Sequence, residues 1–73
     1  MIPTPGSLWR HYKGAEYRVV SIARHSETLE TLVIYRPKDA QNALEDWARP
    51  LSMWNEIDVD EPFGKRRFTR VDS

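Results

Sequence analysis

Two apolar runs separated by a polar cluster decide how this chain folds: Tyr17-Arg18-Val19-Val20-Ser21-Ile22-Ala23, then Arg24-His25-Ser26-Glu27-Thr28, then Thr31-Leu32-Val33-Ile34-Tyr35. Both apolar runs are rich in β-branched and aromatic residues, which favours strands. Polar residues between two strands are typical of a turn. The stretch therefore predicts two neighbouring strands joined by a turn.

The apolar pattern changes phase within the first run. Tyr17 and Val19 share one face of an extended chain, whereas Val20 and Ile22 share the other. Such a change predicts a β-bulge, or a strand that bends from one sheet to another as in small barrels. The second run is apolar on both faces, which indicates a central strand, and Pro37 ends it because proline cannot donate to the ladder.

Shorter patterns extend the sheet. Residues 8–12 predict a first strand, and Lys13-Gly14 predicts the turn that follows it. Residues 38–46 are polar, and we expect a mobile loop there with a single helical turn capped by Asp39.

The second half of the chain combines short strands with one helical turn. Trp47 begins a strand, and the three-residue spacing of Leu51 and Trp54 predicts a helical turn that faces the core. Residues 62–64 predict a turn, and residues 67–71 predict a closing strand. About five short strands with one helical turn predict a mainly β fold, a small SH3-like β-barrel.

Length and composition allow one small domain. The 73 residues include no cysteine, which excludes disulfides and thiolate metal sites. Three Trp, three Tyr and two Phe can fill the limited core of so short a chain. We expect a flexible lead-in at residues 1–7, the barrel domain at residues 8–71 and a C-terminal tail at residues 72–73.

Charge is balanced overall but uneven along the chain. Residues 1–36 carry five basic and three acidic residues, residues 37–64 two and seven, and residues 65–73 four and one. A nucleic-acid module usually has a net basic surface, which a net charge of zero does not supply, although the two ends could together form a basic face. Without an export signal or a membrane-length apolar stretch, we expect a cytoplasmic protein with no membrane contact.

Several ordered blocks are similar to a known family. These blocks are Trp9-Arg10-His11-Tyr12-Lys13-Gly14, Tyr17, Ala23-Arg24-His25-Ser26-Glu27-Thr28, Val33-Ile34-Tyr35, Trp47-x-Arg49-Pro50-Leu51-x-Met53 and Arg67-Phe68. From about Leu8 to Val71 they resemble the bacterial family known as domain of unknown function 1653 (DUF1653). The resemblance implies a small bacterial domain without an assigned activity, and it supplies no catalytic residues.

The polar cluster at residues 24–28 has more functional groups than a turn requires. A catalytic triad is excluded because neighbouring residues of an extended chain point in different directions. One interpretation is recognition of an anion or polar ligand, with Arg24 as the donor. The other is structural: Ser26 and Thr28 bond their own backbone, and Arg24 pairs with an acid across the sheet.

Aromatic and basic residues alternate in other segments as well. Alternation places Trp9 and Arg10 on opposite faces, whereas Trp47 and Arg49 share a face if their segment is extended. His11 and His25 lack the spacing of a metal-ligand pair, and we predict neither metal nor cofactor. The predicted ligand-binding residues are Trp9, His11, Arg24, His25, Ser26, Glu27, Thr28, Tyr35, Trp47 and Arg49.

These patterns favour a non-catalytic binding or adaptor module whose partner is a peptide, a protein or a small anionic ligand. So small a domain has little room for the water-excluding cleft that most catalysis needs, but enough for a shallow aromatic groove. Two alternatives stay open. One is a nucleic-acid-binding module, and the other is a small enzyme or enzyme subunit centred on His11, His25 and Glu27.

Overall fold

The computed structural model describes residues 2–57 and 66–72, which form one antiparallel sheet. Its strands are β1 (Leu8–His11), β2 (Glu16–Arg24), β3 (Thr31–Pro37), β4 (Trp47–Pro50) and β5 (Phe68–Arg70). A 3₁₀ turn (Ala43–Glu45) precedes β4, and the helix α1 (Leu51–Trp54) follows it directly. The predicted mainly β class is confirmed. Among the described residues, no helix is long and apolar enough to cross a membrane.

The strands lie in the order β4-β3-β2-β1-β5. β1 pairs with both β2 and β5, so the first and last strands are neighbours. Over residues 2–57 and 66–72 no pairing joins β4 to β5, and the sheet is therefore open rather than a confirmed barrel. The turn predicted at residues 62–64 lies outside the described residues.

β2 contains a bulge where the apolar pattern changes phase. Val19 is paired with Tyr35 and Ser21 with Ile34, so β2 advances two residues while β3 advances one. The extra residue returns Ile22 to the face of Val33, its partner on β3. Both halves of β2 therefore turn apolar side chains toward one core, and the predicted bulge is confirmed.

The core lies on one face of the sheet, against α1. It consists of Trp9, Val19, Val33, Tyr35, Trp54 and Phe68. The rings of Trp54 and Phe68 stack with centroids 3.8 Å apart, and Trp54 meets Trp9 edge-on at 5.6 Å. Aromatic pairs in such geometries contribute about 0.5–1.5 kcal/mol beyond their buried area. The helical turn thus faces the core, as the spacing of Leu51 and Trp54 predicts.

The opposite face of the sheet carries charged side chains that neutralise one another. Arg10 donates to Glu16 at 2.8 Å, and the Lys38 ammonium lies 3.4 Å from the same carboxylate. Hydrogen bonds from Arg10 are the main reason that the pKa of Glu16 lies below its ordinary value. Because these cations already have a carboxylate partner, this face is a poor place for a further anion.

The loop between β3 and β4 contains the predicted helical turn, but a different residue caps it. Asn42 Oδ1 accepts the N–H of Leu44 at 2.9 Å, so the prediction of Asp39 as the cap is wrong. At the end of the loop, Arg36 donates from Nε and Nη2 to both carboxylate oxygens of Asp46, at 2.7 and 3.1 Å. This bidentate pair fastens the loop to β3.

Residues 2–7, predicted as a flexible lead-in, make hydrogen bonds to the sheet. The Gly6 N–H donates to the Val19 carbonyl at 2.8 Å. Arg70 Nη1 donates to Thr4 Oγ1 at 3.2 Å. These bonds hold the segment against β2 and β5.

Candidate functional site

Side chains from β1, β3, β4 and the start of β5 meet at one end of the core face. His11 is paired with Phe68, and their rings meet edge-on at 5.1 Å. The guanidinium carbon of Arg49 lies 5.6 Å from the Phe68 ring centroid and 6.0 Å from that of Tyr35. We call His11, Tyr35, Arg49, Arg67 and Phe68 the Arg49 cluster.

Arg49 is held in a defined orientation. Its Nε donates to the Tyr35 hydroxyl at 3.2 Å, and the faces of the two rings attract its charge. Within residues 2–57 and 66–72, no carboxylate lies within ion-pair distance of this guanidinium. Arg49 therefore has a fixed direction and, in this part of the chain, a charge that no carboxylate neutralises.

His11 lies in a positively charged environment. Burial lowers the pKa of His11 below its ordinary value, and the charges of Arg49, Arg67 and Lys13 lower it further. Its Nδ1 accepts the Lys13 N–H at 3.1 Å, so the neutral ring carries its hydrogen on Nε2. A bound anion would offset the repulsion between these charges and raise the pKa of His11.

Arg67 has an ion-pair partner but also a buried hydrogen-bond donor that no described residue satisfies. Its Nη2 donates to Glu56 Oε1 at 2.5 Å, but its Nε is buried without a hydrogen-bond partner among the described residues. A buried donor without an acceptor costs about 1–3 kcal/mol. In the part of the chain that the structure describes, the cluster and its neighbour Lys13 thus bring several basic groups together around one carboxylate, that of Glu56. An anion would neutralise the excess charge of these described groups.

Trp47 places an exposed ring beside this cluster. It is paired with Tyr35 and Arg49 is paired with Val33, so Trp47 and Arg49 lie on the same face of β4, as their spacing predicts. The side of Trp47 away from the sheet is open to solvent, because the residue is 60% exposed. Exposed indoles beside basic groups provide a surface on which a planar ligand can stack.

The polar residues 24–28 lie in and next to the turn between β2 and β3; we call residues 25–30 the His25 turn. His25 Nδ1 accepts the N–H groups of Glu27 and Thr28 at 3.1 and 3.2 Å. Thr28 Oγ1 accepts the Glu30 N–H at 3.3 Å. Leu29 adopts a left-handed backbone with φ of 64°. The turn therefore satisfies its own backbone donors, as the structural interpretation predicts for Thr28.

Arg24 and Ser26, the other two residues that the structural interpretation names, do not make the contacts that it predicts. Arg24 is exposed and paired with Thr31, so it does not face an acid across the sheet. Ser26 is also exposed, and in the described part of the chain its hydroxyl makes no hydrogen bond to the turn. His25, rather than Ser26, supplies the acceptor that shapes this turn.

His11 and the His25 turn lie at opposite ends of β2. Arg49 lies across β3 from the second half of that strand, because its partner Val33 is paired with Ile22. Arg10, next to His11, is paired with Glu16 at the start of β2, whereas His25 follows the last residue of that strand. At about 3.3 Å per residue, the two ends are roughly 25 Å apart along the strand. His11 therefore does not converge with His25 and Glu27. Among the described residues, no group of three potential ligands could hold a metal ion.

Trp9 is a core residue that also borders a cavity. It is 6% exposed, and its Nε1 donates to the buried Ser7 hydroxyl at 2.7 Å. A cavity of about 310 Å³ is lined by Trp9, Arg66, Phe68, Thr69 and Arg70. We call it the Trp9 cavity. The sequence predicts Trp9 beside a groove but does not predict the partners that line this cavity.

Comparison with known proteins identifies the family. The family described as "Protein of unknown function (DUF1653)" matches residues 7–70. The chain belongs to the DUF1653 family. The crystal structure of a DUF1653 protein from Bordetella bronchiseptica is 40% identical, with a TM-score of 0.75 over 94% of this chain and 87% of the other. The resemblance seen in the sequence blocks is confirmed. A search of curated proteins finds no match.

Two members of the Arg49 cluster are absent from the predicted site of this DUF1653 domain. Arg67 and Phe68 stand near His11 only because β1 pairs with β5, a contact between residues far apart in sequence. The apolar and basic alternation of residues 67–71 predicts the strand but not its neighbour. The signal that could have found them is the fold prediction itself, because in the predicted small barrel the first and last strands would be adjacent.

Proposed function

We propose that this DUF1653 domain is a non-catalytic binding or adaptor module that recognises an anionic ligand through the Arg49 cluster. The arrangement of Arg49 carries the proposal: its direction is fixed by Tyr35 and two rings, and no carboxylate pairs with it among the described residues. Guanidinium groups form short, strong hydrogen bonds with carboxylates and phosphates. Since the donor is already ordered, binding loses little side-chain entropy.

The His11 environment gives this binding a pH dependence. Arg49, Arg67 and Lys13 act on His11 with positive charge, and Glu56 faces the same group through Arg67. An anion favours the protonated imidazole, so the bound state has the higher His11 pKa. Affinity therefore rises as the pH falls from the pKa of the bound state toward that of the free state.

Trp47 narrows the class of ligand. Its exposed ring shares a face with Arg49, which suits an anion attached to a planar group or to a peptide carrying an aromatic side chain. The cluster itself supplies charge and direction, and the ring supplies apolar contact area. A simple inorganic anion is then expected to bind more weakly than an aromatic one.

An NMR titration of the ¹⁵N-labelled chain tests the proposal. The probes are inorganic phosphate, acetate, adenosine monophosphate and a short peptide of glutamate and tyrosine. We expect saturable shifts at the amides of His11, Arg49 and Phe68 and at the Trp47 indole. Arg49→Gln should weaken binding about tenfold or more, because a hydrogen bond to a charged group contributes about 1.5–3 kcal/mol.

Arg24→Gln is the matched control, since Arg24 is an exposed arginine outside the Arg49 cluster, at the end of β2 away from His11. It should bind every probe as the wild type does. Shifts confined to residues 24–30, or an Arg49→Gln variant with wild-type affinity, would overturn the proposal.

A second candidate is a single-stranded nucleic-acid module. The pairing of β1 with β5 brings Arg67 and Arg70 next to β1, the strand that ends at His11, which supports a basic face built from both ends of the chain. The affinity for a ten-nucleotide oligothymidylate, measured by tryptophan fluorescence, should then fall steeply as the salt concentration rises. An affinity that does not change with salt would contradict this candidate.

We also propose that the sheet curves into an SH3-like barrel and that the protein acts in the cytoplasm. The strand order, the bulge in β2 and the helical turn between β4 and β5 support the first point. Nuclear Overhauser contacts between β4 and β5 would test closure, and cell fractionation would test location.

A further inference from the structure

We propose that the Trp9 cavity is a second binding site, which takes a small monoanion carrying one aromatic ring. It lies beside β5, and its lining consists of Trp9, Phe68, Thr69 and two arginines, Arg66 and Arg70. Phe68 also belongs to the Arg49 cluster, but Arg49 and Trp47 do not line this cavity. The inference therefore does not rest on the proposed function.

The apolar part of the cavity sets the size and shape of the ligand. The cavity volume of about 310 Å³ is at the lower end of the range for ligand pockets, about 300–1,000 Å³. A cavity of this size suits a ligand with a single ring rather than a larger molecule. Trp9 is fixed by its bond to Ser7 and by edge-on contact with Trp54. Rigid aromatic walls lose little entropy when a ring packs against them.

The polar part of the cavity sets the charge of the ligand. Arg70 donates from Nε to Asp72 at 2.9 Å and from Nη1 to Thr4 at 3.2 Å, so its guanidinium is oriented before any ligand arrives. Arg66 is exposed beside the same cavity. Counting only residues within 2–57 and 66–72, two arginines and the carboxylate of Asp72 leave one net positive charge. A monoanion neutralises that charge, whereas a dianion would meet the repulsion of Asp72.

Benzoate is the probe, with acetate and benzyl alcohol as controls that lack the ring and the charge, respectively. The three tryptophan indole N–H signals make the assay site-specific. The Trp9 signal reports on the cavity, the Trp54 signal on the core next to Trp9, and the Trp47 signal on the Arg49 cluster. We expect benzoate to give saturable shifts at the Trp9 indole and at the amides of Thr69 and Arg70. Acetate and benzyl alcohol should each bind at least fivefold more weakly.

Variants separate the cavity from the Arg49 cluster. Arg66→Gln and Arg70→Gln should each weaken benzoate binding several-fold, and Arg66 is the safer of the two because Arg70 also holds Thr4 and Asp72. Arg49→Gln should leave the benzoate shifts at Trp9 unchanged, whatever becomes of the proposed function.

Three results would overturn the inference. One is the absence of saturable shifts at Trp9, another is equal binding of benzyl alcohol, and the third is benzoate shifts at Trp47 and Arg49 alone. The last result would support the Arg49 cluster as an anion site while excluding the cavity.

Discussion

The His25 turn and the Arg49 cluster are both rich in polar side chains, but they are assembled in different ways. In the turn, the polar groups are neighbours in sequence and bond to the backbone of that same turn. In the cluster, the groups come from four separate segments and meet only once the sheet has formed. In this fold, polar residues close together in sequence shape the turn, whereas Arg49, brought to the cluster by strand pairing, has no carboxylate partner among the described residues.

The difference follows from what each group must satisfy. A tight turn leaves backbone N–H groups without partners in the ladder, and His25 and Thr28 accept them. Arg49 makes its hydrogen bond to a tyrosine hydroxyl, which leaves its positive charge in place. Four predictions test this distinction.

The largest effect is expected at Phe68, which joins the core to the Arg49 cluster. Phe68→Ala removes the ring stacked on Trp54, and we expect the free energy of unfolding to fall by about 3–5 kcal/mol. Urea unfolding followed by fluorescence measures the loss. Phe68→Leu keeps more of the buried volume, so the loss in unfolding free energy should be smaller and the protein should stay folded. A loss below about 1 kcal/mol in Phe68→Ala would show that this ring does not support the core.

The next effect is expected at His25. His25→Ala removes the acceptor of two backbone N–H groups, and we expect a loss of about 1 kcal/mol in urea unfolding, with ligand binding unchanged. His25→Asn keeps an acceptor near the same position and should recover part of the loss. If His25→Ala instead weakened anion binding and left the free energy of unfolding unchanged, the His25 turn would have a binding role, and the distinction between it and the Arg49 cluster would not hold.

A gain in stability is expected at Leu29. Its φ of 64° is unfavourable for a branched side chain and free of cost for glycine, and the residue is 61% exposed. Leu29→Gly should therefore raise the free energy of unfolding by up to about 1 kcal/mol, whereas Leu29→Ala should change it by less than half as much. A destabilised glycine variant would mean that the leucine side chain contributes more than its exposure suggests.

The smallest effect is a change in titration at His11. Arg49→Gln removes one charge that lowers the pKa of His11, so this pKa should rise while burial, the larger cause, keeps it below about 6.5. The ring protons of His11 report it by NMR, and Arg24→Gln is the control that should leave it unchanged. An identical His11 titration in Arg49→Gln and the wild type would place Arg49 away from the imidazole.

The same shift affects stability. Between the lowered folded-state pKa of His11 and its unfolded value near 6.5, the unfolded chain binds more protons. Unfolding free energy therefore rises with pH across that window, and Arg49→Gln should make the rise shallower.

Local patterns were sufficient to predict most of the fold. The phase change after Val19 predicts the bulge, the Leu51 and Trp54 spacing predicts the helical turn, and Pro37 marks the end of β3. Each of these depends on the steric or hydrogen-bonding properties of a few neighbouring residues. The cap at Asn42 was not predicted because several polar residues of that loop could have served equally well.

The candidate site depends on register, which the sequence specifies only through long-range pairing. The shared face of Trp47 and Arg49 follows from the alternation of a single strand and was predicted. The contact of His11 with Phe68 and the buried position of Arg67 depend on β1 pairing with β5. No pattern within either segment contains that information, so the composition of the Arg49 cluster was predicted only in part. Whether residues 24–28 bind a ligand stays a prediction.

The position of β1 between β2 and β5 has a consequence for synthesis on the ribosome. β2 emerges soon after β1, but β5 emerges after the other four described strands, so one edge of β1 stays unpaired until residues 68–70 have been synthesised. During that interval the indole of Trp54 lacks the Phe68 ring that later stacks on it. Nascent chains stalled before residue 68 should therefore be prone to aggregation and sensitive to proteases. Chains that include β5 should show the protease resistance of the folded protein.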